Sequence, residues 1–334
     1  MPRSRGSHRT RLLAAVAAAL TLGGLAARPA QAQAGNSECA SYSGGAGNIC
    51  NAAIDGTRYF HPLVGVLISG GNPVLGQAGT LGGLGHFSVT LRANAARVRL
   101  PGLDYTGSTN TVPAGDTVFV PAPSIEAAVG LWKGLAGGLL SVDALGSAQL
   151  LPTDQIDDFQ LDPDATTIGG VGLGFGFGAR IGLLRDHLMI PGVSVSIMRR
   201  NIPRLQYGRV DVATLGNDYS YAVDLHATNL RVAVSKSLAI VTLAAGAGVD
   251  KYTGAATVAF RDPALPLTVH TVDFKLDQTR QMVFANAGFD FKFVKLVGEL
   301  GYQTGKDQKL TTDFEGIDTK AGTTFGSVGL RVGF

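Results

Sequence analysis

Apolar and polar residues alternate with a period of two along most of the chain after residue 85, which is the period of a β-strand. The clearest stretch spans residues 171–183, where every odd position is apolar and every even position is glycine except Arg180. On a soluble sheet, the face opposite the core would carry Thr, Lys and Glu, whereas a glycine face suits a crowded barrel interior. The alternation therefore predicts strands that turn an apolar face toward lipid.

Ten such strands are predicted, and the connections between them alternate in length. Short links fall at 133–136, 184–189, 236–237 and Phe293, and long polar links separate the other pairs. This asymmetry and an even strand number are typical of bacterial outer-membrane barrels. The predicted fold class is all-β, a transmembrane antiparallel β-barrel of about 10 strands, with 12 as the alternative if residues 57–69 or the long loops add a hairpin. The strands are expected at residues 86–100, 122–132, 137–150, 168–183, 190–200, 219–235, 238–252, 279–292, 294–304 and 322–334.

The composition supports a membrane location for these apolar faces. Hydrophobic residues make up 45% of the chain and charged residues only 16%, against about 25% charged residues in soluble domains. No segment after residue 34 has 18 unbroken apolar residues, which excludes a helical membrane protein. The net charge of +3 comes from scattered Lys and Arg residues, so nucleic acid is not an expected partner.

The first 34 residues have the three parts of a secretory signal peptide. Arginines between positions 3 and 11 form a basic region, Leu12–Leu25 is apolar, and Ala32-Gln33-Ala34 is a small-residue cleavage motif. A retained membrane helix is the alternative, but this apolar run is shorter than the roughly 20 residues that a span needs. The predicted domains are a signal peptide at 1–34, an N-terminal periplasmic or plug segment at 35–85, and a barrel at 86–334, located in the bacterial outer membrane.

Cys39 and Cys50 are the only cysteines, and they follow the cleavage motif closely. In an exported chain, such a pair predicts one disulfide that closes a short loop, with two free thiols as the alternative. A lipoprotein is not expected, because Ser37 and Glu38 precede Cys39 in place of small apolar residues.

Residues 57–85 combine an apolar cluster with a stretch rich in glycine, which is too flexible for an ordinary barrel strand. Two interpretations are open. The segment is either a plug that lies in the barrel lumen, or a short extra strand or periplasmic helix.

Two resemblances to known proteins are carried by short motifs. The last alternating strand ends at Phe334 and resembles the C-terminal signature of outer-membrane proteins that the barrel assembly machinery recognises. Gly71-Asn72-Pro73-Val74-Leu75 and Pro191-Gly192-Val193-Ser194-Val195-Ser196 resemble segments of FadL-type outer-membrane transport proteins. The resemblances imply outer-membrane lipid and the assembly machinery as partners, a plug before the barrel, and a small hydrophobic ligand that crosses it.

If the apolar faces contact lipid, the charged side chains on the other faces line the lumen, because charge is costly in hydrocarbon. Arg231 is out of phase with Asp224 and His226, and joins them only through a β-bulge. Glu299 is expected to pair with Arg331, and Asp143 with Arg180. We favour an ion-pair network that holds the barrel together over a selectivity filter. The predicted lumen charges are Arg92, Glu126, Asp143, Arg180, Arg200, Asp224, His226, Arg231, Asp290, Lys292, Glu299 and Arg331.

Catalysis, a metal and a cofactor are not expected. The acidic loop at 151–167 lacks the regular spacing of a calcium loop. His226 with Asp224 is the only pair that suggests acid–base chemistry, and a network histidine explains it better. The favoured function is passage of small hydrophobic compounds in a FadL-like manner. The alternative is a structural or adhesive barrel without transport, and an outer-membrane enzyme is a remote third.

Overall fold

The computed structural model describes residues 35–151, 159–161, 167–168, 171–187, 189–210 and 217–333. The predicted signal peptide, most of the acidic loop and Phe334 lie outside these residues. Ten long antiparallel strands form the wall of the barrel. They are β1 (Phe87–Pro101), β2 (Ala114–Trp132), β3 (Ser141–Leu151), β4 (Val171–Leu184), β5 (Gly192–Tyr207), β6 (Tyr219–Leu238), β7 (Val241–Asp262), β8 (Leu265–Phe291), β9 (Val294–Gln303) and β10 (Thr323–Gly333).

The barrel is closed, because β1 pairs with β10 as well as with β2. Paired residues can be followed from strand to strand around the barrel, starting at Leu91 on β1. The path through β2 reaches β6 at His226, and the path through β10 reaches β6 at Leu238. The offset of 12 residues (238 − 226) shows that the strands are tilted, as closure of a barrel requires. The prediction of a closed ten-stranded barrel is confirmed.

The two ends of the barrel differ as the connection lengths predict. At one end, which we assign to the periplasm, two-residue turns join β6 to β7 and β8 to β9, and a short connection joins β2 to β3. Toward the extracellular end several strands are longer than expected. β7 continues to Asp262 and β8 begins at Leu265, so this hairpin extends far beyond the predicted bounds.

A belt of large apolar side chains surrounds the periplasmic part of the wall. Leu91 is 56% exposed, Phe177 65% and Leu300 70%. Along β8 the outward positions from Phe291 to Val283 are apolar, a span of about the 9–11 residues that cross a bilayer. Contiguous apolar surface of this extent marks an interaction site, and a belt that surrounds a closed barrel matches the lipid-facing band of a transmembrane β-barrel. The belt is therefore the membrane-embedded part of the barrel.

A 26-residue helix, α1 (Gly44–Ser69), lies inside the barrel. Every residue from Phe60 to Gly76 is buried, so this part of the chain is surrounded by the wall on all sides. Pro62 lies inside α1 and cannot donate to the Arg58 carbonyl. The barrel supplies that donor, because Gln278 Nε2 lies 2.8 Å from Arg58 O. Within the described ranges, no helix is long and apolar enough to cross a membrane.

The first turn of α1 lies at the extracellular end of the lumen. Asn48 Nδ2 donates to Gly107 O, in the β1–β2 loop, at 2.8 Å. A 3₁₀ turn, Ser37–Cys39, precedes α1, and the predicted Cys39–Cys50 disulfide joins the two and is confirmed. The chain thus runs through the lumen from the extracellular to the periplasmic end before it enters β1.

Four short strands and a second 3₁₀ turn complete the structure. Thr111–Val112 and Asp313–Phe314 pair with each other in parallel between two extracellular loops. Phe159–Leu161 pairs with β5, and Thr167–Ile168 with β4. The 3₁₀ turn Ala136–Gly138 lies between β2 and β3.

Candidate functional site

The periplasmic half of the lumen, which we call the lower lumen, holds a stretch of chain without regular secondary structure, residues 70–81. α1 ends where Gly70 takes a φ of 56°, a left-handed conformation that favours glycine. A side chain at Gly70 would also collide with the guanidinium of Arg92. Glycine at this position therefore allows a charged wall side chain to approach the backbone closely.

Two carboxylates of the wall accept hydrogen bonds from this lower segment. Glu299 accepts the backbone N–H of Gly71 at 2.9 Å and that of Asn72 at 2.8 Å. Asp143 accepts the N–H of Leu81 at 3.1 and 3.2 Å. Charged acceptors form hydrogen bonds about twice as strong as neutral ones, so both ends of the segment are held firmly.

Four arginines of the wall donate to the carbonyl oxygens of the same segment. The donor and acceptor residues are Arg92 to Asn72 at 2.8 Å, Arg231 to Gly71 at 3.0 Å, Arg331 to Leu75 at 2.9 Å and Arg180 to Gln77 at 3.2 Å. Each buried guanidinium thus satisfies a backbone group that no secondary structure pairs. The segment that resembles FadL-type proteins, residues 71–75, lies at the centre of these contacts.

The same charges pair with one another across the lumen. Arg180 lies 2.6 Å from Asp143, which is the partner expected from the sequence. Arg92 forms ion pairs with Glu299 and, at 3.4 Å, with Glu126. These side chains are 5% exposed or less, so removing one partner would leave an uncompensated buried charge.

Further pairs extend this network around the wall. Arg200 lies 3.6 Å from Glu126, and Arg231 lies 2.6 Å from Asp250. Asn229 Nδ2 donates to Asp250 at 2.6 Å and to Ser69, the last residue of α1, at 3.1 Å. The network therefore ties the end of the helix to the wall.

The expected pairing of Glu299 with Arg331 is wrong. In the register of β9 and β10, Glu299 lies opposite Ser327, and Arg331 lies opposite Lys295. Two charges that lie four residues apart along neighbouring strands do not meet. Arg331 binds the Leu75 carbonyl instead.

The placement of Asp224 and His226 in the lumen is also wrong. On β6 the buried inward positions include Leu225 and Arg231, so Asp224 and His226 lie on the outer face and no bulge is needed. His226 lies 3.0 Å from Asn201 on the outside of β5. The error has a physical cause: this part of β6 lies above the lipid belt, where the outer face contacts water and the inner face packs against α1.

Two predicted lumen residues lie at the periplasmic end. Asp290 is at the mouth and pairs with Lys295 at 3.0 Å. Lys292 is not in the lumen, because β8 ends at Phe291 and Lys292 takes a φ of 33° in the turn. Its ammonium lies 5.0 Å from the ring centroid of Phe293.

Asp250 and Lys295 were not among the predicted lumen residues, although the sequence carries a signal for both. Asp250 is on the small-residue face of β7, in phase with Gly246 and Gly248. Lys295 is two positions from Val297 on the face that also carries Glu299. The polar contacts of Asn72 could not be predicted, because they depend on the path of the lower segment through the lumen.

The extracellular half of the lumen, which we call the upper lumen, is apolar and aromatic. Phe60 of α1 stacks on Tyr207 at a centroid distance of 6.4 Å and contacts Tyr221 at 5.6 Å. The ring of His61 meets that of Tyr252 edge-on at 6.3 Å. Large aromatic contacts of this kind stabilise a core beyond simple area burial, so α1 is packed as a core element.

Taken with the wall, residues 44–81 leave the lumen occupied along its length. Among the described residues, no group of three or more His, Cys, Asp or Glu side chains is arranged to hold a metal ion. The buried charges contact one another and the backbone, so their role is to hold the enclosed chain inside the barrel.

Comparisons with solved structures find other outer-membrane barrels at low sequence identity. The outer membrane protease OmpT from Escherichia coli is 14% identical over 75% of this chain and 95% of its own, with a TM-score of 0.38. The translocator domain of autotransporter NalP from Neisseria meningitidis is 12% identical over 83% and 97%, with a TM-score of 0.39. The P. putida toluene transporter TodX is 10% identical over 87% and 94%, with a TM-score of 0.29.

No family model and no curated protein matches the chain. Since the similar structures perform different activities at such low identity, they carry no argument about function. Independently of these comparisons, the closed barrel, its exposed apolar belt and its alternating short and long connections support a location in the outer membrane. The chain is a β-barrel protein of the bacterial outer membrane.

Proposed function

We propose that this protein is a structural outer-membrane barrel that conducts neither ions nor small solutes. The observation that carries this proposal is the unbroken burial of residues 60–76. A water-filled pore would leave one side of the enclosed chain accessible, and this chain has none over those 17 positions.

The contacts of the enclosed chain also oppose its displacement. Its lower part is held by charged side chains from β1, β3, β4, β6, β9 and β10. Its upper part is held by Asp55, which accepts hydrogen bonds from the Thr311 and Thr312 backbone at 2.8 and 2.9 Å. A plug that moves in each transport cycle would have to break these interactions together.

Planar-bilayer recordings test the proposal directly. We expect no stable conductance from the wild-type barrel, and ion-conducting channels from a variant that lacks residues 36–80, which removes both cysteines and the plug. Heat-modifiable migration in gels verifies that both barrels are folded. Stable open channels in the wild-type protein would contradict the proposal.

Passage of small hydrophobic compounds in a FadL-like manner is the second candidate. The observation in its favour is a cavity of about 350 Å³ in the side of the barrel, in which Tyr59, Pro62 and Leu63 of α1 form the apolar part of a lining that is otherwise mostly polar. Cells that express the wild-type protein would then accumulate a radiolabelled aromatic hydrocarbon faster than cells with an empty vector. Such uptake without ion conductance would favour this candidate over a structural barrel.

A further inference from the structure

The wall of the barrel has a gap between the upper parts of β8 and β1, which we call the wall notch. β9 ends at Gln303 and β10 begins at Thr323, whereas β8 and β1 on either side continue toward the extracellular end. Residues 304–322 cover this notch as a loop. Gln278 on β8 donates to Gln308 at 2.9 Å, and Arg99 on β1 donates to Gly316 O at 2.8 Å.

A cavity of about 350 Å³ lies in the wall notch, and three arginines line it. Arg97 and Arg99 come from the outer face of β1, and Arg280 comes from the inner face of β8. Asp318 is the one acidic lining residue. Threonine hydroxyls complete the polar part of the lining, at positions 117, 304, 319, 323 and 324.

Arg280 distinguishes this cavity from the ion pairs of the lower lumen. It is only 5% exposed, and its Nη1 has no hydrogen-bond partner among the described residues. Its Nη2 donates to the neutral side chain of Gln278 at 3.0 Å. Arg92, Arg180 and Arg231 each contact a carboxylate. Because a buried guanidinium without a counter-charge is costly, an anion from outside the chain would stabilise Arg280.

We propose that the wall notch binds the phosphate group of an outer-leaflet lipid. Three arginines and one aspartate leave two positive charges, which matches the charge of about −2 on a phosphate monoester. Guanidinium groups recognise phosphate through paired hydrogen bonds, and threonine hydroxyls add further donors. The charge of the lining thus selects a phosphate over a monoanionic carboxylate.

The height of the notch identifies lipid as the source of the phosphate. On β1 the outward residues below Arg97 are Leu91, Ala93 and Ala95, so Arg97 is the first charged position above the apolar belt. On β10 the outward Val328 is 62% exposed, and Thr324 marks the same boundary. A lipid with its phosphate in the notch would therefore lay its acyl chains on the apolar wall below.

Native mass spectrometry of the purified barrel tests the site with two probes, bisphosphorylated lipid A and the same lipid after enzymatic dephosphorylation. We expect the wild-type protein to retain the bisphosphorylated form and to lose the dephosphorylated one. Arg280→Gln and the double variant Arg97→Gln/Arg99→Gln should weaken retention roughly tenfold or more. Arg199→Gln is the matched control, because Arg199 also lies on the outer face but on β5, outside the cavity.

Thermal unfolding in detergent provides a second measurement that separates binding from folding. Bisphosphorylated lipid A should raise the Tm of the wild-type protein and of Arg199→Gln, but not that of Arg280→Gln. In lipid-free detergent, Arg280→Gln should be at least as stable as the wild-type protein, because the substitution removes an uncompensated buried charge. Equal retention of both lipids, or equal retention by Arg280→Gln, would overturn the site. Displacement of the lipid by submillimolar inorganic phosphate would overturn lipid as the source.

Discussion

The lower and upper halves of the lumen hold the same continuous segment by opposite means. Below, residues 70–81 are bound by buried charges, and the outside of the wall is apolar. Above, α1 packs in an apolar interior, and the outside carries charges such as Lys251 and Asp277. The polarity of each wall face thus follows from what it contacts. Where the wall contacts lipid outside and the charged network inside, its outer face is apolar and its inner face is polar. Where it contacts water outside and α1 inside, the polarity of the two faces is reversed.

Breaking an ion pair of the lower lumen should have the largest effect. Glu299→Ala removes a partner of Arg92 and the acceptor of two backbone N–H groups, and should lower the free energy of unfolding by about 3–5 kcal/mol. Asp277→Ala is the control, because its pair with Lys251 is more than half exposed and is worth at most about 1 kcal/mol. Urea unfolding in lipid vesicles measures both. Similar losses would mean that the lower lumen is solvated.

Truncating the apolar interior of the upper lumen should cost slightly less. Leu276 is 4% exposed and lies in the core that contains α1, so Leu276→Ala should lower stability by about 2–5 kcal/mol. Its neighbour Lys275 lies on the outer face, and Lys275→Ala should change stability by no more than about 0.5 kcal/mol. The reverse order in urea unfolding would contradict the assignment of faces in this half.

The change in outer-face polarity along β8 can be tested on one strand. Ala285 lies in the apolar belt and Thr271 on the same face above it. Ala285→Arg should cost about 2–4 kcal/mol near the bilayer midplane, whereas Thr271→Arg should be tolerated within about 0.5 kcal/mol. Vesicle-insertion yields and urea unfolding report the difference. Equal tolerance at both positions would place the belt elsewhere.

Opening the disulfide should have the smallest effect, confined to the upper half. Cys39 and Cys50 are 11 positions apart, and closing a loop of this size in the unfolded chain stabilises by about 2–3 kcal/mol. A reductant should lower wild-type stability by this amount and leave the Cys39→Ser/Cys50→Ser variant unchanged. An unchanged wild-type midpoint would show that the disulfide does not constrain the unfolded chain.

The sequence predicts most of the fold, because period-two alternation is strong wherever one face contacts lipid. All ten strands are confirmed, but their upper parts were missed in β2 and β5 and, by the largest margin, in β7 and β8. There the polarity is inverted: Phe274 and Leu276 lie inside, and Asp273 and Lys275 lie outside. A rule that points every apolar face toward lipid misplaces such residues.

The lumen was predictable only in part. Arg92, Glu126, Asp143, Arg180, Arg200 and Glu299 lie inside the belt region and occupy the expected face. Asp224 and His226 do not, because they lie above the belt. The choice of partners depends on strand register and on the path of residues 70–81, neither of which is visible in the alternation of side chains.

The central claim is that the N-terminal segment threads the barrel and emerges at the extracellular face. The most direct measurement is antibody binding to intact cells that carry a short epitope between Ala34 and Gly35, with a matched strain that carries it at Gly134 in the β2–β3 turn. We expect the N-terminal epitope to be detected on intact cells, and the epitope at Gly134 to be detected only after the outer membrane is permeabilised. Detection of the N-terminal epitope only after permeabilisation, in a heat-modifiable barrel, would contradict the account.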